Sequence, residues 1–217
     1  MVIFQGLLGM WTFTLLLKPV IVSLHLLGGL TTFALLAVMT LRQRGIEQGP
    51  PVRAGVRAFA LLGLLALACQ IALGAWTSTN YAALACPDFP LCQGSLDPPM
   101  DFANAFHLVR ELGHTAAGAL LGNAALTAIH FTHRIGALLV GTLLLALGLT
   151  LLRQPGLRTF GALLLAALAV QLALGVSIVL LQLPLPLAVM HNGGAAVLLL
   201  VLVATNTAVR TRPLQVA

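Results

Sequence analysis

Six stretches of the chain are apolar for long enough to read as membrane helices, and short polar breaks separate them. They cover residues 2–17, 19–41, 54–76, 125–152, 157–181 and 185–208. A bilayer core requires about 20 apolar residues of helix, and each stretch meets or approaches that length, the first being the shortest. The pattern predicts an all-α polytopic membrane protein. Its one long polar segment, residues 77–124, separates the third helix from the fourth. Within that segment the stretch from Asp101 to Leu112 reads as an amphipathic surface helix.

Composition supports this reading. Of 217 residues 59% are hydrophobic and 7% charged, and mean hydropathy is +1.03, more apolar surface than a soluble core of this size needs. A pI near 10.7 raises the question of nucleic acid. The basic residues are sparse, however, and their placement follows the helix ends, so nucleic acid is not an expected partner. Arg42, Arg44, Arg53, Arg57, Arg153, Arg158, Arg210 and Arg212 fall on one side of the predicted topology, with Gly49-Pro50-Pro51 breaking the first cluster. Only Lys18 and Arg110 fall on the other. The positive-inside rule then makes the loop after the second helix, the loop after the fourth and the C-terminus cytoplasmic, with residues 77–124 outside. The first residues carry neither a basic leader nor a small-residue cleavage site, and the chain opens inside an apolar segment.

A pattern recurs along the chain. Gln5-Gly-Leu-Leu-Gly9, Gln70-Ile-Ala-Leu-Gly74 and Gln171-Leu-Ala-Leu-Gly175 match, and both Gln5 to His25 and Gln171 to His191 span 20 residues. A proline breaks each hairpin (Pro19; Pro184 and Pro186), and glycine pairs Gly28-Gly29 and Gly193-Gly194 follow the histidines. The expected architecture is a parallel internal repeat of a four-helix bundle whose first copy is incomplete. Residues 1–41 would be the remnant of that copy and 42–57 a cytoplasmic loop. Residues 58–217 would then form the complete second repeat.

Histidines carry the candidate chemistry. His130 and His133 are three apart and share a helix face, in the run Ile129-His130-Phe131-Thr132-His133-Arg134. Ionisable groups inside a membrane are costly and normally face the bundle interior. His25 and His191 lie about six residues into their helices and His133 about eight, so all three sit roughly 9–12 Å below the outer surface. The plain alternative is a packing histidine bonded to Thr132 or Asn192. Imidazole suits iron, copper and zinc, but the predicted spans contain no carboxylate to complete a copper or zinc site. Haem needs two axial ligands and an apolar slot, and Gly28-Gly29, Gly136 and Gly193-Gly194 would let a flat macrocycle approach. Arg134 could pair with a propionate or simply reach the lipid headgroups. In the outer segment Cys86 and Cys92, six apart, read better as a disulfide than as half a zinc site completed by His107 and His114. Cys69 reads as a buried apolar side chain.

The run from Trp76 to Cys92-Gln-Gly, followed by Ala125-Leu-Thr-Ala-Ile-His-Phe-Thr-His-Arg134, resembles the second half of the haem A synthase family. Phe4-Gln-Gly-Leu-Leu-Gly9 and Lys18-Pro-Val-Ile-Val-Ser-Leu-His25 resemble that family's third and fourth helices. The resemblance implies an eight-helix fold of two halves, with two further helices before Met1 carrying a Glu-x-x-His-Arg that pairs with His25. It implies oxidation of the C8 methyl of haem O to the formyl of haem A, in a bacterial cytoplasmic membrane. It further implies that His133 and His191 are axial ligands of a b-type haem (haem b). His25 would be a candidate ligand of the substrate haem, and Cys86 and Cys92 would match the family's external pair; beside these, His130 and Arg134 are the candidate cofactor-binding residues of the helix that carries His133. Without the two preceding helices the chain is expected to hold one tight b-haem and convert little haem O. The alternative is a b-type haem-binding or electron-transfer subunit with no chemistry of its own; a transporter is disfavoured because the spans lack an acidic residue. Expected partners are the bilayer, haem O, a haem O synthase or oxidase assembly factors, and a second copy of the chain.

Overall fold

The computed structural model describes residues 1–45 and 52–209. Arg210, Arg212 and the Gly49-Pro50-Pro51 break lie outside the described residues. Seven α-helices follow one another among those described: α1 (Val2–Thr14), α2 (Pro19–Gln43), α3 (Ala54–Thr79), α4 (Phe102–Ala105), α5 (Asn123–Leu152), α6 (Arg158–Leu180) and α7 (Leu185–Val209). Five of them, α2, α3, α5, α6 and α7, are long and apolar enough to cross a membrane.

The first helix is shorter than its hydropathy suggests, at 13 residues. Its end is set by the turn rather than by polarity. Pro19 opens α2 at a position where its missing N–H costs nothing, and a residue before proline is pushed out of the helical region. Leu16 and Leu17 then turn the chain in left-handed conformations, φ 50° and 60°, with the Leu17 N–H donating to Thr12 O at 3.1 Å. The α6–α7 link makes the same turn: Gln182 and Leu183 have φ 58° and 63°, and the Leu183 N–H donates to Ile178 O at 2.8 Å.

Helices α3, α5, α6 and α7 close a ring in which α3 touches α5 and α7, and α6 touches α5 and α7. Leu67, Leu144, Leu147, Leu164, Leu198 and Leu202 fill its centre. Helix α2 lies against the α3–α7 edge, and α1 lies against α2. Only 6% of the most apolar window of α2 is buried, against 22–28% for the other four spans, so α2 is peripheral and presents most of its surface to lipid. Cys69 is also exposed, contrary to the expectation of burial. A small apolar thiol is as well accommodated by lipid as by a core.

Small residues bring the helices together. A Cβ on Gly161 of α6 would stand 2.8 Å from Gly148 O and Leu152 N of α5, so the two backbones are in direct contact there. At the other seam the Asn206 amide donates to Ala60 O at 3.0 Å and Leu202 O at 2.9 Å, tying α7 to α3. Gly161→Val is expected to force α5 and α6 apart and cost about 1–3 kcal/mol, as overpacking does. A fall in the unfolding temperature of detergent-solubilised protein measures it; an unchanged midpoint would show that the contact contributes nothing.

The links α1–α2, α3–α5 and α6–α7 meet at one end of the bundle. Lys18 pairs with Glu111 at 2.7 Å, and the Gln182 amide donates to Pro87 O at 3.0 Å. By the same topology Arg42, Arg44, Arg53, Arg57, Arg153 and Arg158 gather at the opposite end. Within the α3–α5 segment, the expected surface helix over Asp101–Leu112 is reduced to the single turn of α4, capped by the Asp101 carboxylate on the Asn104 N–H. Arg110 explains why the helix stops. It is 5% exposed, stacks over Trp76 at 5.7 Å, and donates to Asn80 Oδ1 and, at 2.9 Å, to His114 O. A regular helix through residue 112 could not deliver the guanidinium to those buried partners and keep the Gly113 turn that follows.

Candidate functional site

Three histidines are each held by a glutamine from the preceding long helix of the pair. On α5, His133 receives the Gln70 amide of α3: Nε2 lies 2.9 Å from His133 O and 3.0 Å from the ring Nδ1. On α7, His191 receives Gln171 of α6, with Nε2 3.1 Å from His191 O and 3.3 Å from each ring nitrogen. On α2, Gln5 of α1 donates to His25 O at 3.0 Å. The spacing explains the geometry. Glycine four residues after each glutamine lies on the same helix face, one turn on. There Gly9, Gly74 and Gly175 receive the imidazole edges: an added Cβ would stand 3.1, 3.0 and 3.1 Å from Cε1 of His25, His133 and His191. Glycine three residues after each histidine receives the glutamine, and a Cβ on Gly28, Gly136 or Gly194 would run into its carboxamide.

These contacts assign the glycines differently from a bed for a macrocycle. Gly28, Gly136 and Gly194 accommodate glutamines, whereas Gly193 borders open space. Thr132 spends its hydroxyl on Ala128 O at 2.7 Å rather than on a histidine. The sequence does contain the signal for the glutamines. It is the shared spacing, Gln to Gly by four and His to Gly by three, in all of the three helix pairs.

Helices α5 and α7 are diagonal in the ring and carry His133 and His191 respectively. His25 lies outside the ring and is exposed. Among the described residues no three His, Cys, Asp or Glu side chains come together as a metal-binding group. Among those residues a multi-ligand copper or zinc centre has no donor set, whereas one imidazole from each of two diagonal helices suits a macrocycle that supplies the other four iron ligands itself. Gln70 engages the Nδ1 side of His133 and leaves its Nε2 without a protein hydrogen bond, whereas at His191 the Gln171 amide reaches both ring nitrogens and must give up Nε2 for that atom to ligate a metal. The residues present fit a haem.

His130 and Arg134 engage the loop between α3 and α5. His130 is 4% exposed; its Nδ1 lies 3.4 Å from the Cys86 N–H nitrogen and its Nε2 lies 3.3 Å from Arg134 Nε. Arg134 also donates to Leu91 O at 2.8 Å and Cys86 O at 2.7 Å, and stacks over Phe89 at 5.9 Å. It thus grips both limbs of a small loop closed by the Cys86–Cys92 disulfide. With the sulfurs joined, the zinc alternative for this segment falls away. Gln93 ties the loop to α5 through Thr127 Oγ1 at 2.8 Å. The loop's own Asp88 accepts the Gly94 N–H at 2.8 Å and the Gln93 N–H at 2.6 Å, and the Gly94 bond above all holds its carboxyl below the usual aspartate range.

The family model of the COX15-CtaA cytochrome oxidase assembly proteins matches residues 1–203. The chain belongs to that family. The heme A synthase of Shewanella oneidensis is 42% identical over 208 residues, covering 95% of this chain and 63% of that protein. The heme A synthase of Halalkalibacterium halodurans is 31% identical over 139 residues, 61% of this chain and 45% of that protein. That of Sinorhizobium medicae is 30% identical over 156 residues, 70% of this chain and 39% of that protein. The chain therefore spans 63% or less of the length of these COX15-CtaA relatives. The histidines, the disulfide and the membrane helices lie in the part that matches, apart from the C-terminal end of α7.

Proposed function

We propose that this COX15-CtaA protein is a haem A synthase-type membrane oxidoreductase, in which His133 and His191 hold a b-type haem. The observation that supports this most is the pair itself: one imidazole on each of two diagonal helices of a membrane bundle, each fixed by a glutamine and a glycine. When bound, that haem supplies a one-electron redox centre near the disulfide-bearing end. The product reading follows the relatives' name, heme A synthase, and the motif resemblance to that family extends it: haem O is the substrate, and its C8 methyl is oxidised to the formyl of haem A. His25 of the peripheral α2, whose backbone carbonyl accepts the Gln5 amide and whose ring edge meets Gly9, is then a ligand for the substrate haem. The matching turns and contacts of α1–α2 and α6–α7 favour a parallel repeat. Arg134 uses three of its five N–H donors on the protein, and the remaining two suit a propionate. The arginine-rich end faces the cytoplasm and the Cys86–Cys92 end faces outward, where disulfides persist.

Deleting the gene from a host that makes haem A decides this reading. Extracted membranes should lose haem A and accumulate haem O, with recovery on returning the wild-type gene but not His191→Ala. Unchanged haem A content would contradict it. Haem A lost but restored equally by the His191→Ala gene would separate the synthase activity from this histidine.

A further inference from the structure

The glutamines share a feature that packing alone does not explain. Gln5, Gln70 and Gln171 each bury their Oε1 without a hydrogen-bond partner, although all of them place Nε2 against a histidine. An unpartnered buried carbonyl is costly, and here the same orphan occurs at equivalent positions in each helix pair. The cost points to a partner that the imidazole supplies in another state.

A neutral imidazole carries one N–H. The Gln70 amide nitrogen lies 3.0 Å from Nδ1 of His133, and a hydrogen bond there requires the tautomer with its proton on Nε2. Ligation of a metal through Nε2 reverses the arrangement: Nε2 gives its lone pair, the proton resides on Nδ1, and Nδ1 needs an acceptor. An amide N–H facing that new N–H would be donor against donor. Half a turn of the carboxamide exchanges oxygen and nitrogen with little change of shape. It would bring Oε1 to the Nδ1 side, where it accepts the proton. The exchange also brings Oε1 towards His133 O, which the amide nitrogen now contacts at 2.9 Å. That oxygen–oxygen approach opposes the turn, so the turn follows only when Nδ1 is protonated. At His191 the Gln171 nitrogen is 3.3 Å from both ring nitrogens, so one carboxamide can serve either tautomer.

We infer that Gln70 and Gln171 are positioning residues for the axial histidines, whose buried Oε1 atoms accept the Nδ1–H of the haem-ligating imidazoles. This rests on the proposed axial pair. Accepting that proton makes the imidazole a stronger donor and favours the oxidised metal. The carboxamide therefore sets the reduction potential as well as the ring angle. Gln5 would play the same part for His25.

Potentiometric titration of the low-spin haem in the purified full chain is the test. Gln70→Leu removes the acceptor and should raise the midpoint potential; Gln70→Glu offers a stronger acceptor and should lower it. Gln171 variants should behave alike, and Gln5→Leu should leave this potential unchanged. Shifts of opposite sign establish the acceptor role, because a merely structural perturbation would move both variants the same way. Equal-signed shifts, or none, overturn the inference while leaving the axial pair standing. If Gln70→Leu loses its haem, the Glu variant decides: haem held at a lower potential supports the inference, and an unshifted potential overturns it. A wild-type chain without low-spin haem overturns the inference and the axial pair together.

Discussion

Purified His133→Ala and His191→Ala proteins are each expected to lose the sharp α-band of a low-spin haem, while His25→Ala keeps it. The two imidazoles approach from diagonal helices of one ring, so neither can substitute for the other. His130, though only three residues from His133, is committed to the Cys86 loop and Arg134 and cannot swing in as a replacement. A single remaining histidine leaves iron five-coordinate and high-spin, so the visible spectrum changes in kind. Absorption spectra of the reduced proteins, normalised to protein, give the readout. An α-band retained at full height in either of the His133 or His191 variants would show that the ligand assignment is wrong. Loss of that band in His25→Ala would move the site to the periphery.

Arg134→Ala should release the disulfide loop from the bundle. The guanidinium bonds to Leu91 O and Cys86 O are charge-assisted, each of a kind contributing about 1.5–3 kcal/mol, and removal leaves both carbonyls without their charged donor. The loop retains Gln93 on Thr127 and Gln182 on Pro87 O, so loosening rather than unfolding is expected. Reduction of Cys86–Cys92 by a membrane-impermeant phosphine should then accelerate by about tenfold or more, the factor that roughly 1.4 kcal/mol of lost closure corresponds to. Arg134→Lys should recover only part of the protection, because one ammonium cannot span two carbonyls as a planar fork does. Haem content should fall less than in the axial variants, since both imidazoles remain. An unchanged reduction rate would show that the disulfide loop is held by its other contacts alone.

The membrane-spanning part of the fold is legible in the sequence because hydropathy and length determine it. The stretches 19–41, 54–76, 125–152, 157–181 and 185–208 meet the helices Pro19–Gln43, Ala54–Thr79, Asn123–Leu152, Arg158–Leu180 and Leu185–Val209 within a few residues at each end. The end of α1 is not legible in that way. Leu15, Leu16 and Leu17 are as apolar as the helix before them, and it is the turn into Pro19 that stops it. Segment 101–112 misleads for a related reason: its amphipathic pattern is real, but burial of Arg110 against Trp76 and Asn80 outweighs local helix propensity.

At the site the histidines could be singled out because an ionisable residue in an apolar run stands out. Their glutamine partners could not be recognised from chemistry alone, since glutamine in a membrane helix has many possible partners. Only the spacing from Gln70 to Gly74 and from His133 to Gly136, repeated in the other helix pairs, encodes them. Arg134 illustrates the opposite case. Its position next to His133 suggests a haem propionate, and its donors in the protein reach carbonyls of a loop some forty residues earlier, Cys86 and Leu91, a contact no local pattern announces.

The most direct measurement of the central claim is the low-temperature electron paramagnetic resonance spectrum of the oxidised wild-type protein, taken with its iron and protein content. Two imidazoles on one haem iron should give a low-spin ferric signal with rhombic g-values, and His133→Ala or His191→Ala should convert it to a high-spin signal near g = 6. A wild-type spectrum with only high-spin iron, or a low-spin signal that survives both substitutions together, would contradict a haem held between these two histidines.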